Sequence, residues 1–479
     1  MRATLVKICT LTVVLGFGGC SPEDPGTPGS TGGTSPGVTG GSPAGGTTQT
    51  TGGRSGGTGP ASGGTNPATG GRSSGGTATG GTPTGGTATG GAPTGGSGGG
   101  KPVEDEGADC TVGTLPESGS LPTIAKLPDP FTKLSGTRMT TKAEWRCRRQ
   151  EIKKQAEKYA YGTKPPKPAT VSGTVSSTNI TVNVTDAGKS SSFSASVSLP
   201  TTGSAPYPAV VVLGGLGADT NTIKGEGVAI INYDPYLLGK EGTGRSNKQG
   251  AFYTIYGSTS TTGLLIAWAW GVSRIIDVIE QSGGSILKAD AIGVTGCSRF
   301  GKGAFTVGVF DQRIALTMPI ESGTAGVPIW RGIPGEGAQS LSSAYGEQPW
   351  FGDAFSAFTS TPTKAPIDTH ELVAMVAPRG LFIMDNPHIA NLGPKSAHVA
   401  ALGGAEVYKA LGAGSNISYI SNVADGTHCA IRSEWNAPLK SNIRKFLTKT
   451  GSDAGVISAR SNATGDLASW RDWTTPTLQ

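Results

Sequence analysis

Ser298 sits in the octapeptide Gly296-Cys297-Ser298-Arg299-Phe300-Gly301-Lys302-Gly303, directly after the apolar run Ala291-Ile292-Gly293-Val294-Thr295. A serine between glycines at the point where a buried strand turns into a helix is the pattern of a nucleophile elbow. The second glycine comes one residue later than in G-x-S-x-G. A serine hydroxyl attacks an acyl carbon only when a base takes its proton, and that base needs an acid to hold its tautomer. On strand-to-helix elbows of this kind the three follow one another as Ser, acid, His. The chain has four histidines, His370, His388, His398 and His428. His428, in Asp425-Gly426-Thr427-His428-Cys429, follows the apolar run Ile417–Ile420 and is the expected base. His370, beside Asp368 and Glu371, is expected to be structural, and His388 and His398 to lie at the rim or the surface. Two carboxylates end apolar runs in the right interval, Glu321 after Ile314–Ile320 and Asp385 after Leu381–Met384. The backbone N–H of Arg299, next after the nucleophile, is placed to meet a developing oxyanion.

These groups need a scaffold that brings distant segments to one edge. Residues 170–198 alternate polar and apolar side chains, as in Ile180-Thr181-Val182-Asn183-Val184, and read as antiparallel strands. Short continuous apolar runs follow at 209–213, 227–231, 291–295, 314–320, 381–384 and 417–420. Such runs mark strands buried on both faces of a parallel sheet. Helical patterns lie between them, notably Leu264 to Glu280, and a packed helix is expected around Gly303–Val309. The order predicts an α/β-hydrolase fold, a three-layer sandwich around a mostly parallel sheet.

The elbow, with Cys before the serine, Arg after it and Lys four residues on, resembles that of the glucuronoyl esterases, carbohydrate esterase family 15, which reads G-C-S-R-x-G-K-G. The resemblance spans most of residues 108–448. It includes Ala143-Glu144-Trp145-Arg146-Cys147-Arg148-Arg149-Gln150-Glu151-Ile152, Ala267-Trp268-Ala269-Trp270-Gly271-Val272-Ser273-Arg274 and Ala377-Pro378-Arg379-Gly380-Leu381-Phe382. It implies Ser298 as nucleophile, His428 as base, and Glu321, in an E-S-G segment, as the acid in preference to Asp385. It implies that the Arg299 side chain helps hold the oxyanion, and that Lys302, Gln339 and Glu347 bind sugar hydroxyls. It also implies a substrate class: esters of 4-O-methyl-glucuronic acid linking glucuronoxylan to lignin alcohols. Where the family has a tryptophan before Leu-Gly-Pro, this chain has Asn391-Leu392-Gly393-Pro394. Trp330 or Phe351 is the expected substitute. Pro328-Ile329 precede Trp330, where fungal relatives carry a further cysteine, so one fewer disulfide is expected.

Composition bounds the rest. The chain has 479 residues, 78 of them glycine, crowded toward the N-terminus. Residues 1–20 have a basic start, an apolar stretch from Ile8 to Phe17 and a small-residue end at Gly18-Gly19-Cys20, the outline of an export signal. Cys20 is the expected lipidation site of a bacterial lipoprotein, so a chain secreted or tethered to the cell surface is expected. Residues 21–104 are Gly, Thr, Ser, Pro and Ala with few large apolar side chains and read as a flexible linker. Residues 105–479 are the expected esterase domain. Of six cysteines, Cys9 and Cys20 belong to the leader, leaving Cys110, Cys147, Cys297 and Cys429, which allow three pairings. Cys297 abuts the expected nucleophile and Cys429 the expected base, so Cys110–Cys147 and Cys297–Cys429 are expected, the pairing that the resemblance also implies. Residues 451–479, with Trp470, Trp473 and Leu478, are expected to pack on the domain as a strap.

The net charge of +6 comes without a basic run, which argues against nucleic acid. There is no C-x-x-C spacing, and neither metal nor organic cofactor is expected; nor is an oligomer. Two other readings stay open. One is an acetyl or feruloyl esterase acting on hemicellulose; the other is a non-catalytic carbohydrate-binding surface protein.

Overall fold

The computed structural model describes residues 102–479. The expected leader, Cys20 and the linker up to residue 101 lie outside the described residues. Ten strands form one sheet in the order β1-β2-β3-β5-β4-β6-β7-β8-β9-β10. β1 (Thr170–Val175), β2 (Asn179–Asp186) and β3 (Lys189–Ser198) are antiparallel hairpin partners, and β3 joins β5 antiparallel. From β5 onward every neighbour is parallel: β5 (Ala229–Tyr233), β4 (Tyr207–Leu213), β6 (Leu287–Cys297), β7 (Ile314–Ile320), β8 (Gly380–Met384), β9 (Ile417–Ser421) and β10 (Ile457–Ala459). This is the expected fold class: a mostly parallel sheet with a leading antiparallel edge.

The apolar runs are continuous because the sheet is covered on both faces. In β4, Ala209, Val211 and Leu213 join one buried cluster while Val210 and Val212 join another. The period of two along a strand sends alternate side chains into the two outer layers. One layer holds helix Leu264–Gln281, whose residues from Leu264 to Ile279 are all buried. That explains a pattern apolar on most faces of the helix. The opposite layer holds helix Asn436–Ile443, through Leu439 and Ile443.

The chain after residue 450 is a strap, as expected, and it also supplies a strand. β10 pairs in parallel with β9, Trp473 Nε1 donates to the Leu127 carbonyl at 3.0 Å, and Gln479 closes onto Thr140 and Lys142 through its backbone. The sequence Gly455-Val456-Ile457-Ser458-Ala459 is too short and too mixed to announce a strand.

At its other end the domain begins before residue 105. Glu104 ion-pairs with Lys164 and with Arg274, and lies 3.6 Å from Arg313; these three cations are at most 4% exposed. Asp105 pairs with Lys153 and Glu106 with Arg149. Buried cations need such partners, so Glu104 belongs to the packed domain rather than to the linker.

Candidate active site

The end of β6 and the start of the next helix build the elbow. β6 ends at Cys297 and helix Arg299–Phe310 begins at Arg299, four residues before the expected start at Gly303. Only Ser298 stands between them, with φ 58° and ψ −125°. A non-glycine residue at positive φ is strained, and the packing around it must hold it there. Two glycines permit that packing. A Cβ at Gly296 would come within 2.2 Å of the Phe300 carbonyl oxygen, and one at Gly301 within 2.4 Å of the Ile320 oxygen at the end of β7. The late second glycine is thus the one that lets the helix pass the neighbouring strand. The Ser298 amide donates to the Ile320 carbonyl at 3.0 Å and the Lys302 amide to the Ser298 carbonyl at 3.0 Å.

The expected acid and base, Glu321 and His428, follow β7 and β9 of the parallel sheet. Glu321 follows β7 directly, at φ 43°, with its side chain fully buried. Its Oε2 lies 2.6 Å from His428 Nδ1 and accepts the Cys429 amide at 2.8 Å; Oε1 accepts Asn386 Nδ2 at 3.3 Å. His428 lies in the loop after β9, with 41% of its side chain exposed. Asp385 does not reach His428. It is buried, its Oδ1 accepts the Asn386 amide at 2.9 Å and its Oδ2 accepts the Tyr419 hydroxyl at 3.3 Å. Burial pushes the Asp385 carboxyl up to about 7; the Asn386 amide works against this, and the Glu321 charge adds to it. The sequence left two acids open, and the geometry separates them: Glu321 touches the imidazole and Asp385 lies behind it.

The disulfide Cys297–Cys429, with Cα atoms 5.8 Å apart, ties the residue before Ser298 to the residue after His428. Cys429 is also at positive φ, 59°. The second bridge is Cys110–Cys147. Atoms of Cys297, Glu321, His428 and Cys429 lie within 4.8 Å of one another, as in a metal centre. Both sulfurs are consumed in the disulfide, so that set lacks the thiolates a metal would need.

Arg299 and Lys302 leave the first turn of the helix on the same side. Arg299 Nη1 donates to Glu241 Oε2 at 2.6 Å, and its guanidinium lies 5.9 Å from the centre of the Trp350 ring. Burial acts to lower the Arg299 pKa, but the bond and charge of Glu241 outweigh it and hold it above the ordinary value. Lys302 Nζ donates to the Ser322 carbonyl at 2.5 Å and lies 5.1 Å from the Trp350 ring centre. Burial draws its ammonium down to about 8, with the Glu347 charge opposing. Gln339 Nε2 donates to Glu347 Oε2 at 2.6 Å, so this pair, eight residues apart, forms one polar ledge.

The expectations for Trp330, Phe351 and His398 are overturned, while those for His388 and His370 hold. Trp330 and Phe351 are buried at 1% and 0% exposure and pack against each other and Phe355, so neither can stack on a sugar in place of the missing tryptophan at Asn391. His398 is buried, where its Nδ1 accepts the Gly465 amide at 3.0 Å, because its helix, Pro394–Ala410, is covered by the C-terminal strap. His388 is exposed, and a Cβ at Gly426 in the His428 loop would be 3.4 Å from it, which is a rim position. His370 is structural, with Nε2 2.8 Å from the Pro128 carbonyl oxygen. Glu241 is a site residue that the sequence does not mark. An acid in a Gly-Lys-Glu-Gly loop carries no local signal, and its partner Arg299 is 58 positions away.

The chain matches the family model described as "Glucuronyl esterase, fungi" over residues 182–412. It is 38% identical over 377 residues to a 4-O-methyl-glucuronoyl methylesterase of Hypocrea jecorina, covering 78% of this chain and 80% of that one. It is 40% identical over 369 residues to the 4-O-methyl-glucuronoyl methylesterase of Neurospora crassa, covering 75% and 92%. Among solved structures it is similar, at a TM-score of 0.69 and 38% identity, to a serine-to-alanine mutant of the glucuronoyl esterase of Sporotrichum thermophile in complex with methyl 4-O-methyl-β-D-glucopyranuronate; 77% of this chain and 100% of that one are covered. With identity at this level over most of each relative's length, and with an elbow, acid and histidine arranged as described, the chain belongs to the glucuronoyl esterase family.

Proposed function

We propose that this protein is a serine esterase that hydrolyses esters of 4-O-methyl-D-glucuronic acid, and that its natural targets are the esters joining glucuronoxylan to lignin alcohols. The observation that carries the catalytic reading is the 2.6 Å contact of His428 with the buried Glu321, with Cys429 beside His428 disulfide-bound to Cys297 beside Ser298. His428, its Nδ1 proton held by Glu321, takes the proton of Ser298 through Nε2. The hydroxyl oxygen attacks the ester carbonyl, and the Arg299 backbone N–H and guanidinium receive the oxyanion. His428 then passes the proton to the leaving alcohol. In the second half, water attacks the acyl-enzyme with His428 again as base, and the free uronic acid leaves Ser298.

Lys302, Gln339 and Glu347 form the sugar-binding ledge. The Gln339–Glu347 bond and the Lys302 ammonium offer donors and acceptors suited to the hydroxyls of a uronate, which an acetyl group lacks. The test compares benzyl glucuronate with acetylated xylan, using the full chain and its Ser298→Ala variant. Serine-dependent turnover of the glucuronate ester alone is expected. Turnover of acetylated xylan at a similar rate would overturn the substrate assignment.

The chain is proposed to be exported. Its leader pattern supports this, and disulfides persist in oxidising compartments. Cys20 is the proposed lipid attachment point, the Gly/Thr/Ser-rich stretch that follows it the proposed tether, and the enzyme is proposed to act as a monomer. The mass of the mature N-terminal peptide decides between a lipidated Cys20 and a released chain.

A further inference from the structure

The oxygens of Glu241 gather three side chains beside the elbow. Its Oε2 accepts Arg299 Nη1 at 2.6 Å and the Tyr236 hydroxyl at 2.9 Å, and its Oε1 accepts Trp350 Nε1 at 2.5 Å. The Glu241 side chain is 7% exposed, whereas that of Arg299 is 40% exposed. An exposed arginine held by nothing samples many rotamers, and ordering it during the reaction costs free energy. An exposed ion pair alone is worth little. This carboxylate is different, because two further bonds fix it, Tyr236 on the oxygen that accepts Arg299 and Trp350 on the other. Tyr236 is held by packing on Trp268 and Phe300, with ring centres 6.0 and 5.7 Å away, and Trp350 is 2% exposed. Next to Glu241, the Gly242 amide donates to Gln348 Oε1 at 2.8 Å, which ties this loop to the segment carrying Glu347. A guanidinium has five N–H donors, so the bond to Glu241 leaves others free for an oxyanion.

We propose that Glu241 is a positioning residue for the reaction, holding the Arg299 guanidinium beside Ser298 before the oxyanion forms. The inference rests on the oxyanion role assigned to the Arg299 side chain. Prearranged donors stabilise the transition state more than the bound substrate, so the loss belongs in kcat rather than KM.

The test is a double-mutant cycle in the full chain with benzyl glucuronate, using Glu241→Gln, Arg299→Gln and the double variant. Glu241→Gln is expected to lower kcat about 10- to 100-fold with KM changed less than about threefold. In the Arg299→Gln background the same substitution should cost less than about twofold, because its target is gone. Glu241→Asp should restore part of the loss, and it replaces Glu241→Gln in the cycle if that variant does not fold. If Arg299→Gln lowers kcat and removal of the Glu241 carboxylate costs the same with and without Arg299, the positioning role is wrong while the oxyanion role stands. If Arg299→Gln leaves kcat intact, both fall.

Discussion

At the scale of single residues, each ionisable group near the elbow has a different partner, and each partner leads to a measurable outcome. Ser298→Ala removes one hydroxyl at a site whose backbone is already set by its neighbours. Turnover of benzyl glucuronate should fall by at least about a thousandfold with the melting temperature unchanged. Glu321→Gln removes the charge that holds His428 and should cost on the order of a hundredfold or more in kcat. Asp385→Asn should cost less than about fivefold in kcat, since Asp385 touches Tyr419 and Asn386 rather than the imidazole. A reversed ranking in steady-state kinetics would move the acid to the later strand. Asp385 also makes a stability prediction. Its native carboxyl titrates near about 7, mainly through burial, and an unfolded aspartate near about 4. Between those values the native chain holds a proton that the unfolded chain has released, so this group's contribution to stability falls as pH rises from about 4 to about 7. Asp385→Asn removes that slope. Its stability relative to the wild type, measured by urea unfolding, should rise across that window. Lys302, drawn down to about 8 chiefly by burial, loses its charge above that pH. KM for the glucuronate ester should therefore climb above about pH 8, and Lys302→Arg should flatten the climb because guanidinium stays charged.

At the scale of elements, the site is an arrangement of strand ends. β6 supplies Ser298, β7 Glu321 and the loop after β9 His428, and β8 lies between β7 and β9. The parallel sheet therefore separates the acid from the base by one strand, and the His428 loop must reach back over it. The Cys297–Cys429 bridge spans that gap, closing a loop of 132 residues. A cross-link over such a loop lowers the entropy of the unfolded chain, an effect of about 4–5 kcal/mol at most. Its second effect is local, since it holds the exposed His428 loop against the elbow. Cys429→Ser should lower the melting temperature and kcat together, and scanning calorimetry with kinetics on one preparation checks both. A lower melting temperature with kcat unchanged would mean that the Glu321 contact alone positions His428.

At the scale of the whole molecule, the domain is also held by the segment that precedes its first helix. Glu104 supplies a counter-charge to Lys164, Arg274 and Arg313, all nearly fully buried. Removing one partner of a buried ion pair leaves an uncompensated charge. Glu104→Gln should cost about 3 kcal/mol of stability in chemical denaturation, the low end for such losses because Asp277 and Asp311 still pair with Arg313. Its kcat at 25 °C should stay within about twofold of the wild type, because Glu104 and Lys164 meet the elbow helix at its far end, Phe310–Gln312, and not at Ser298. The sequence alone determined what depends on near neighbours. The elbow was legible because its serine, glycines and preceding apolar run are contiguous, and the buried strands because their runs are short, apolar and ordered. β10 was not legible, because three mixed residues become a strand only when β9 offers an edge. The choice between Glu321 and Asp385 was open to the residues themselves, since both end a parallel strand; sheet order and the path of the His428 loop decide which one meets the imidazole. Trp330 and Phe351 looked available for a sugar because aromatic character is visible in sequence and burial is not. Glu241 was silent for the same reason. Its function depends on three partners at sequence separations of 5, 58 and 109 residues, and only tertiary packing brings their donors to one carboxylate.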